Sequence, residues 1–184
     1  MSTVIPRPIG WVSSVGVDGT LNLAPFSFFN GVSGAPPVVM FSVGPRRGST
    51  KDTLRNVQET GEFVVNIVSQ DLAEAMNQTS GEWDYGVDEF ELAGLTPAPS
   101  VDVGPPRVAE ALAAMEAKVS QLVPVEGTSS TMVLGQVVRF HLRQDMLRPN
   151  GLVDPVQLQP VGRLGGTEYS KLGEVFEMVR PRVG

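Results

Sequence analysis

The stretch Thr131-Met-Val-Leu-Gly-Gln-Val-Val-Arg-Phe-His-Leu-Arg143 carries Met132, Leu134, Val138, Phe140 and Leu142 on one parity, with Gln136 the exception. Successive side chains of a strand point to opposite faces, so this period of two predicts a long β-strand with those five on a shared face. Immediately upstream the pattern is mixed. Ala109 to Ala117 has helical propensity, whereas Glu116 to Ser120 alternates polar and apolar; we read a strand from Ala114 to Val125.

The front half reads as strands and turns. Pro8 to Val15 is apolar and β-leaning, and Asp18-Gly19 is a strong hairpin signal before Leu21 to Asn30. Val38 to Val43 follows Pro36-Pro37 as a short buried-type run. A cationic loop, Gly44 to Thr53, leads into a helix starting at Ser49 or Thr50, with Ser49-x-x-Asp52 as a capping box and Gly61 as the stop. Phe63 to Ser69 is the next strand, and Asp71 to Gln78 a short helix with Leu72, Ala75 and Met76 on one side. Residues 80 to 106 form a long irregular stretch broken by Pro97, Pro99, Pro105 and Pro106. At that length such a segment is functional or wraps a surface. Tyr169 to Met178 reads as a short C-terminal helix. Six or so strands with short helices between them predict a closed antiparallel barrel with helical decoration, in one domain over residues 1–184.

Composition excludes several classes of function. Charged residues are 18% and hydrophobic ones 41%, which rules out charge-driven disorder. A formal charge of −6 makes the chain a poor nucleic-acid binder. The absence of cysteine removes disulfides, thiolate nucleophiles and iron–sulfur clusters together. One histidine, His141, is too few for an ordinary zinc site, so no metal is expected. No apolar run is long enough to span a membrane, and Met1-Ser-Thr-Val-Ile-Pro6 lacks the features of a signal peptide. A cytoplasmic protein without membrane or nucleic-acid partners is the expectation.

No Gly-x-Gly-x-x-Gly follows a strand, and Gly44-Pro-Arg-Arg-Gly-Ser-Thr-Lys-Asp-Thr53 fails the Walker spacing. His141 sits mid-strand as a sheet-surface histidine rather than a triad member, so no catalytic residue is assigned. Two segments carry chemistry. The Gly44–Thr53 loop brings Arg46, Arg47 and Lys51 to a helix N-terminus, where free N–H groups and the hydroxyls of Ser49, Thr50 and Thr53 suit a phosphate. A solvated loop whose Ser and Asp merely cap the helix fits the same residues. In Asn22-Leu-Ala-Pro-Phe-Ser-Phe-Phe-Asn30 both faces are apolar and Pro25 removes a ladder donor. That pattern suits a flat heteroaromatic ligand, and equally a core strand under an irregular edge.

Together with these, Pro6-Arg-Pro-Ile-Gly-Trp-Val-Ser13, Lys51-Asp-Thr53, Gly61-Glu-Phe-Val-Val-Asn66, Pro105-Pro-Arg107 and Arg163-Leu-Gly-Gly166 followed by Tyr169 resemble the flavin reductase-like family, the FMN-binding split-barrel proteins. The resemblance implies an all-β/α+β fold: a split β-barrel, a Greek-key antiparallel barrel with short flanking helices. It implies FMN as cofactor, with Ala24, Pro25, Phe26 and Ser27 along the isoalloxazine ring and ribityl chain. Asn30 and Ser42 would be nearby polar contacts. Lys51, Asp52 and Thr53 would meet the phosphate, with Arg46 a weaker candidate. Arg7 and Trp11 would stand beside the site, and Arg163, Gly166 and Tyr169 would close over the flavin at a homodimer interface.

The function so implied is an NAD(P)H:flavin oxidoreductase, taking hydride from NADH or NADPH to flavin N5. It would hand reduced FMN to a monooxygenase or redox-protein partner. The alternative is a tightly bound FMN electron carrier of the flavoredoxin kind, without a nicotinamide site. Two departures stand out. Only five residues precede Pro6, where the family commonly has more, and Ala117 follows Glu116 where a cysteine is common.

Overall fold

The computed structural model describes residues 2–46 and 50–183. Strand β1 (Gly10–Val15) turns through Asp18-Gly19 into β2 (Leu21–Phe26). Gly19 takes φ 85°, the left-handed region open to glycine, and the Asp18 carboxylate accepts the Thr20 N–H at 3.0 Å. The run expected as one strand to Asn30 breaks at Ser27-Phe28. β3 (Phe29–Gly34) then pairs with β4 (Pro37–Val43) rather than continuing alongside β1. Helix α1 (Asp52–Thr60) follows and ends at Gly61, whose φ is 72°. Its N-cap is Lys51, with no side-chain cap; Arg47 and Ser49, the latter the start of the expected capping box, lie outside the described residues.

Next come β5 (Glu62–Ile67), a 3₁₀ turn at Gln70–Leu72, α2 (Ala73–Gln78) and α3 (Glu89–Leu92). The stretch from 80 to 106 is thus not wholly irregular: it holds α3, and Pro97–Ala98 bridges to Arg107–Val108. β6 (Ala113–Pro124) and β7 (Thr131–Leu142) are the two long strands, and α4 (Pro155–Leu158) follows. Seven antiparallel strands run in the order β2-β1-β5-β6-β7-β4-β3. The two outermost strands, β2 and β3, are consecutive in the chain. They meet through Ser27-Phe28, whose Phe28 carbonyl accepts the Ser42 N–H at 2.8 Å, so the sheet curls into a split barrel.

Each face of the sheet has its own core. Val12, Phe26, Phe41, Val43, Phe63, Val65, Val133 and Val137 fill the barrel, with Leu54 and Val57 of α1 packed against them. Phe41 lies 5.0 Å from Phe26 and 5.2 Å from Phe63, ring centre to ring centre. The outer face of β1 and β2, with Trp11 and Leu23, is covered by Met76 of α2, Phe90 of α3 and Val108.

Two expectations are corrected here. In β7 the barrel takes Val133, Gly135 and Val137, which leaves Met132 and Leu134 on the other face. Past the register shift Phe140 pairs with Met115 on the barrel side, so the five even-numbered residues do not share one face; Val138, Phe140 and Leu142 are exposed. The reason is room: a Cβ on Gly135 would run into the Phe63 ring. An irregularity between Val137 and Arg139 also shifts the register with β6. The C-terminal helix is absent. Tyr169–Ser170 pairs with Gly162–Arg163, and residues 171–183 are neither helix nor strand. Phe176 and Val179 there are largely exposed; a short helix in water needs a packed face to persist.

Candidate functional site

The start of α1 forms one end of a narrow cleft with β2 and the loop after α2. Ala24, Pro25, Lys51, Asp52, Thr53, Thr79, Ser80, Trp83 and Glu89 are among its walls. Its floor is a chain of buried polar groups. The Thr53 hydroxyl donates to Asn22 Oδ1 at 2.7 Å, Ser14 donates to the same oxygen at 3.3 Å, and Asn56 Nδ2 donates to Ser14 at 3.1 Å. Asn22 Nδ2 in turn donates to Glu89 at 3.1 Å.

β2 is an edge strand, so the outward Leu23 N–H needs a partner, which the other Glu89 oxygen supplies at 3.0 Å. Pro25 stands two residues on, at the same edge, where a missing N–H costs no ladder bond. Lys51 and Arg46 bring positive charge to this end. Lys51 Nζ lies 5.8 Å from the Phe26 ring centre, and Arg46 binds Asp52 at 3.3 Å and the Trp83 carbonyl.

Past Pro25 and Ser80 the narrow cleft adjoins a wider one of about 840 Å³. Its walls are Ile9, Pro25, Ser27, Met76, Asn77, Arg163 and Tyr169, among others. The far wall is held by two-residue strands: Arg7 pairs with Arg163, and Arg163 with Tyr169. The Arg163 guanidinium lies 4.5 Å from the Tyr169 ring centre and donates to the Gly166 carbonyl. Arg7 donates to Ser27 Oγ at 3.3 Å and to the Leu164 carbonyl at 3.0 Å.

The structure therefore brings together Ala24, Pro25, Lys51, Asp52 and Thr53 in the narrow cleft, and Pro25, Ser27, Arg163 and Tyr169 in the wide one. Arg7 braces the latter through Ser27. Five other expected residues stand elsewhere. Trp11 is fully buried beneath the clefts, its Nε1 donating to Thr79 Oγ1 at 2.8 Å. Phe26 is in the barrel core. Asn30 is exposed on β3, its Oδ1 accepting the Gly31 N–H. Ser42 is half-buried in β4, and Gly166, at φ 54°, sits in the turn beside Arg7 and Arg163. Two side chains act other than by their expected hydroxyl or charge. The Thr53 hydroxyl is committed inward, and the Asp52 carboxylate is held by Arg46 and by Arg55 at 2.9 Å. What both still offer a ligand is main-chain N–H in the first turn of α1.

Glu89 was not singled out by sequence reasoning. It is buried at 6% exposure, and burial pushes its carboxyl up to about 7, against the pull of its two N–H donors. The nearby Asp52 charge adds to the rise. Its only signal in the sequence was its place in the long stretch expected to be functional. His141 also differs from a plain sheet-surface residue: its Nε2 is 2.5 Å from Glu116 Oε1, and Glu116 is fully buried. Burial there acts to raise the Glu116 carboxyl, but His141 and the N–H groups of Val101 and Asp102 outweigh it and hold it below its ordinary value. Neither residue lines either cleft. Among the described residues no group of His, Asp and Glu could hold a metal, and no helix is long and apolar enough to cross a membrane.

The arrangement sets a narrow slot with two cations at a helix start beside a wider space whose walls are part polar and part apolar. The family model of the flavin reductase like domain matches residues 1–157. Nitrilotriacetate monooxygenase component B from Bacillus cereus superposes with a TM-score of 0.92 at 39% identity, over 96% of this chain and 89% of that one. The 2-nitrobenzoate 2-nitroreductase of Pseudomonas fluorescens gives 0.86 at 32%, over 98% and 87%. Flavoredoxin of Desulfovibrio vulgaris gives 0.82 at 25%, over 95% and 91%. A matched family model over most of the chain and a shared split-barrel fold lead to one assignment: the chain belongs to the flavin reductase-like family of flavin-binding proteins.

Proposed function

We propose that this single-domain protein binds FMN and works as an NAD(P)H-dependent flavin reductase. The observation that carries the reading is the joined pair of clefts, a slot holding Lys51 and Arg46 at a helix start that opens at Pro25 into a wide space with mixed polar and apolar walls. The residues present suit FMN. Lys51, Arg46 and the first-turn N–H groups of α1 would hold the phosphate, and Ala24 and Pro25 would flank the ribityl chain and ring. Pro25 and Ala73 would offer apolar surface to the ring, with the Ser27 hydroxyl close by. Bound FMN would supply the hydride-accepting chemistry.

The chain's own task is then positional. Hydride transfer between two stacked rings needs reacting distance and exclusion of water rather than an acid or base. The wide cleft leaves room for a nicotinamide beside the flavin, and Arg163 and Tyr169 stand where they can close over it. The likeness to a monooxygenase component supports delivery of reduced FMN to a monooxygenase. Exposed apolar residues (Phe28 and Val32 at one barrel end, Phe176 in the C-terminal segment) support a homodimer in which the second copy completes the wide cleft.

The test is to titrate the purified protein with FMN by visible absorbance and then measure NADH and NADPH oxidation. Bound or added FMN with no oxidation of either nicotinamide overturns the reductase. The likeness to flavoredoxin favours one second reading, an FMN electron carrier; reduction of bound FMN by a donor protein, with indifference to both nicotinamides, would select it.

A further inference from the structure

We propose that Glu89 is a positioning residue that takes up a proton when the phosphate of FMN enters the narrow cleft, so that FMN affinity falls with rising pH while riboflavin affinity does not. The inference rests on the FMN reading above.

Three carboxylates line the narrow cleft: Asp52, Glu82 and Glu89. An anion entering it must be reconciled with all three. Asp52 is ion-paired with Arg46 at 3.3 Å and Arg55 at 2.9 Å, and Glu82 is exposed to solvent. Glu89 differs from both. It is buried, and its partners are the neutral Asn22 amide and the Leu23 N–H; no ion pair to it occurs among the described residues. The charged groups facing it are few. Lys51 and Asp52 come from the start of α1, Arg46 from the preceding loop and Glu82 from the loop after α2. β2 brings no titratable side chain. On α3 itself Asp88 is turned to cap its own helix, accepting from Phe90 and Glu91.

Glu89 is also wired to the phosphate end. Asn22 donates to it with one end of its amide and accepts the Thr53 hydroxyl with the other, and Thr53 is the second residue of α1. Burial disfavours the charge and pushes its carboxyl up to about 7, so protonating it near neutrality costs little. A phosphate monoester has its second pKa near 6 and arrives at pH 8 as a dianion. In a narrow cleft that charge raises the Glu89 pKa further, and linkage then requires proton uptake on binding. Riboflavin, without a phosphate, brings no such charge.

Calorimetric titration at pH 8, in two buffers of different ionisation enthalpy, counts the protons. We expect uptake of about 0.5–1 proton per FMN bound and close to none for riboflavin. Wild-type FMN affinity should fall by up to about tenfold per pH unit above pH 7, and Glu89→Gln should abolish both the uptake and the slope. FMN binding without proton uptake overturns the proposal alone, as does uptake that survives in Glu89→Gln. No FMN binding at all overturns the FMN reading and this inference with it. Should Glu89→Gln fail to fold, the wild-type contrast between FMN and riboflavin still decides.

Discussion

Glu89 and Glu116 are both buried carboxylates, at 6% and 0% exposure, yet they titrate in opposite directions. Glu116, on the barrel wall, is met by His141 and by the N–H groups of Val101 and Asp102 at 2.8 and 2.6 Å, and its carboxyl is held low. Glu89, beside the cleft, accepts from two neutral donors and, among the described residues, makes no ion pair, and burial carries it up to about 7. Burial alone therefore does not set the charge of a carboxyl; the partners that replace water do. Glu116 behaves as a fixed anion that pins the 101–102 loop to β6 and β7. Glu89 is a group whose charge is still negotiable near neutral pH.

The largest effect that would break the contrast is at Glu116. Glu116→Gln removes the anion and turns an amide NH₂ toward one of the N–H groups that now donate to its two oxygens, and should cost about 3–5 kcal/mol, read from denaturant unfolding at pH 7. A cost under about 1 kcal/mol would mean the His141 contact contributes little. Second, Lys51→Ala should weaken FMN ten- to a hundred-fold, about 1.5–3 kcal/mol, with riboflavin nearly unchanged. Equal losses for both ligands would remove Lys51 from the phosphate end.

Third comes the pH dependence of stability, where the two carboxyls pull in opposite senses. With its folded pKa lowered, Glu116 stabilises the protein above the ordinary carboxylate range, and that contribution is lost as pH falls through the lowered value. With its folded pKa raised from 4.5 to about 7, Glu89 lowers stability as pH climbs between those values, by an amount that then stays constant. Between pH 5 and 8 the unfolding free energy of Glu89→Gln should therefore gain about 1–3 kcal/mol relative to wild type in the flavin-free protein. Parallel curves for the two proteins would show that Glu89 is charged throughout. The smallest effect is at the far end of the wide cleft: Ser27→Ala should cost about 0.5–1.5 kcal/mol of FMN affinity with little change in the thermal midpoint.

The fold was legible wherever a local pattern carried it. Asp18-Gly19 announced the β1–β2 hairpin, and the period of two announced β7, because both depend on neighbours in sequence. Which face of β7 turns inward was not legible. That is decided by the Phe63 ring over Gly135, a contact across strands. The Tyr169–Met178 helix failed for the related reason that propensity found no surface to pack on. In the site, Lys51 and the Asn22–Ser27 run were legible as motifs. Trp11 read as part of one of them but is a buried support, hydrogen-bonded to Thr79. Glu89 could not be picked out at all: its role exists only because Asn22, 67 residues away, is folded against it.

The meeting of the two outermost strands through Ser27-Phe28 has a consequence for the order of assembly on the ribosome. β1 to β4 are the first strands synthesised, but the β3–β4 pair is joined to β1 and β2 through the sheet ladder only by way of β7, β6 and β5. Until residue 142 has emerged, β4 and β3 are a hairpin whose inner partner does not yet exist, and Phe41 has half its barrel missing. The nascent chain thus carries an unfinished apolar seam for most of its synthesis, and closure is a late, long-range event of the kind that folds slowly. The narrow cleft draws on β2, α1 and α3, so all its residues are in the chain well before Arg163 and Tyr169, which complete the wide one, have been made.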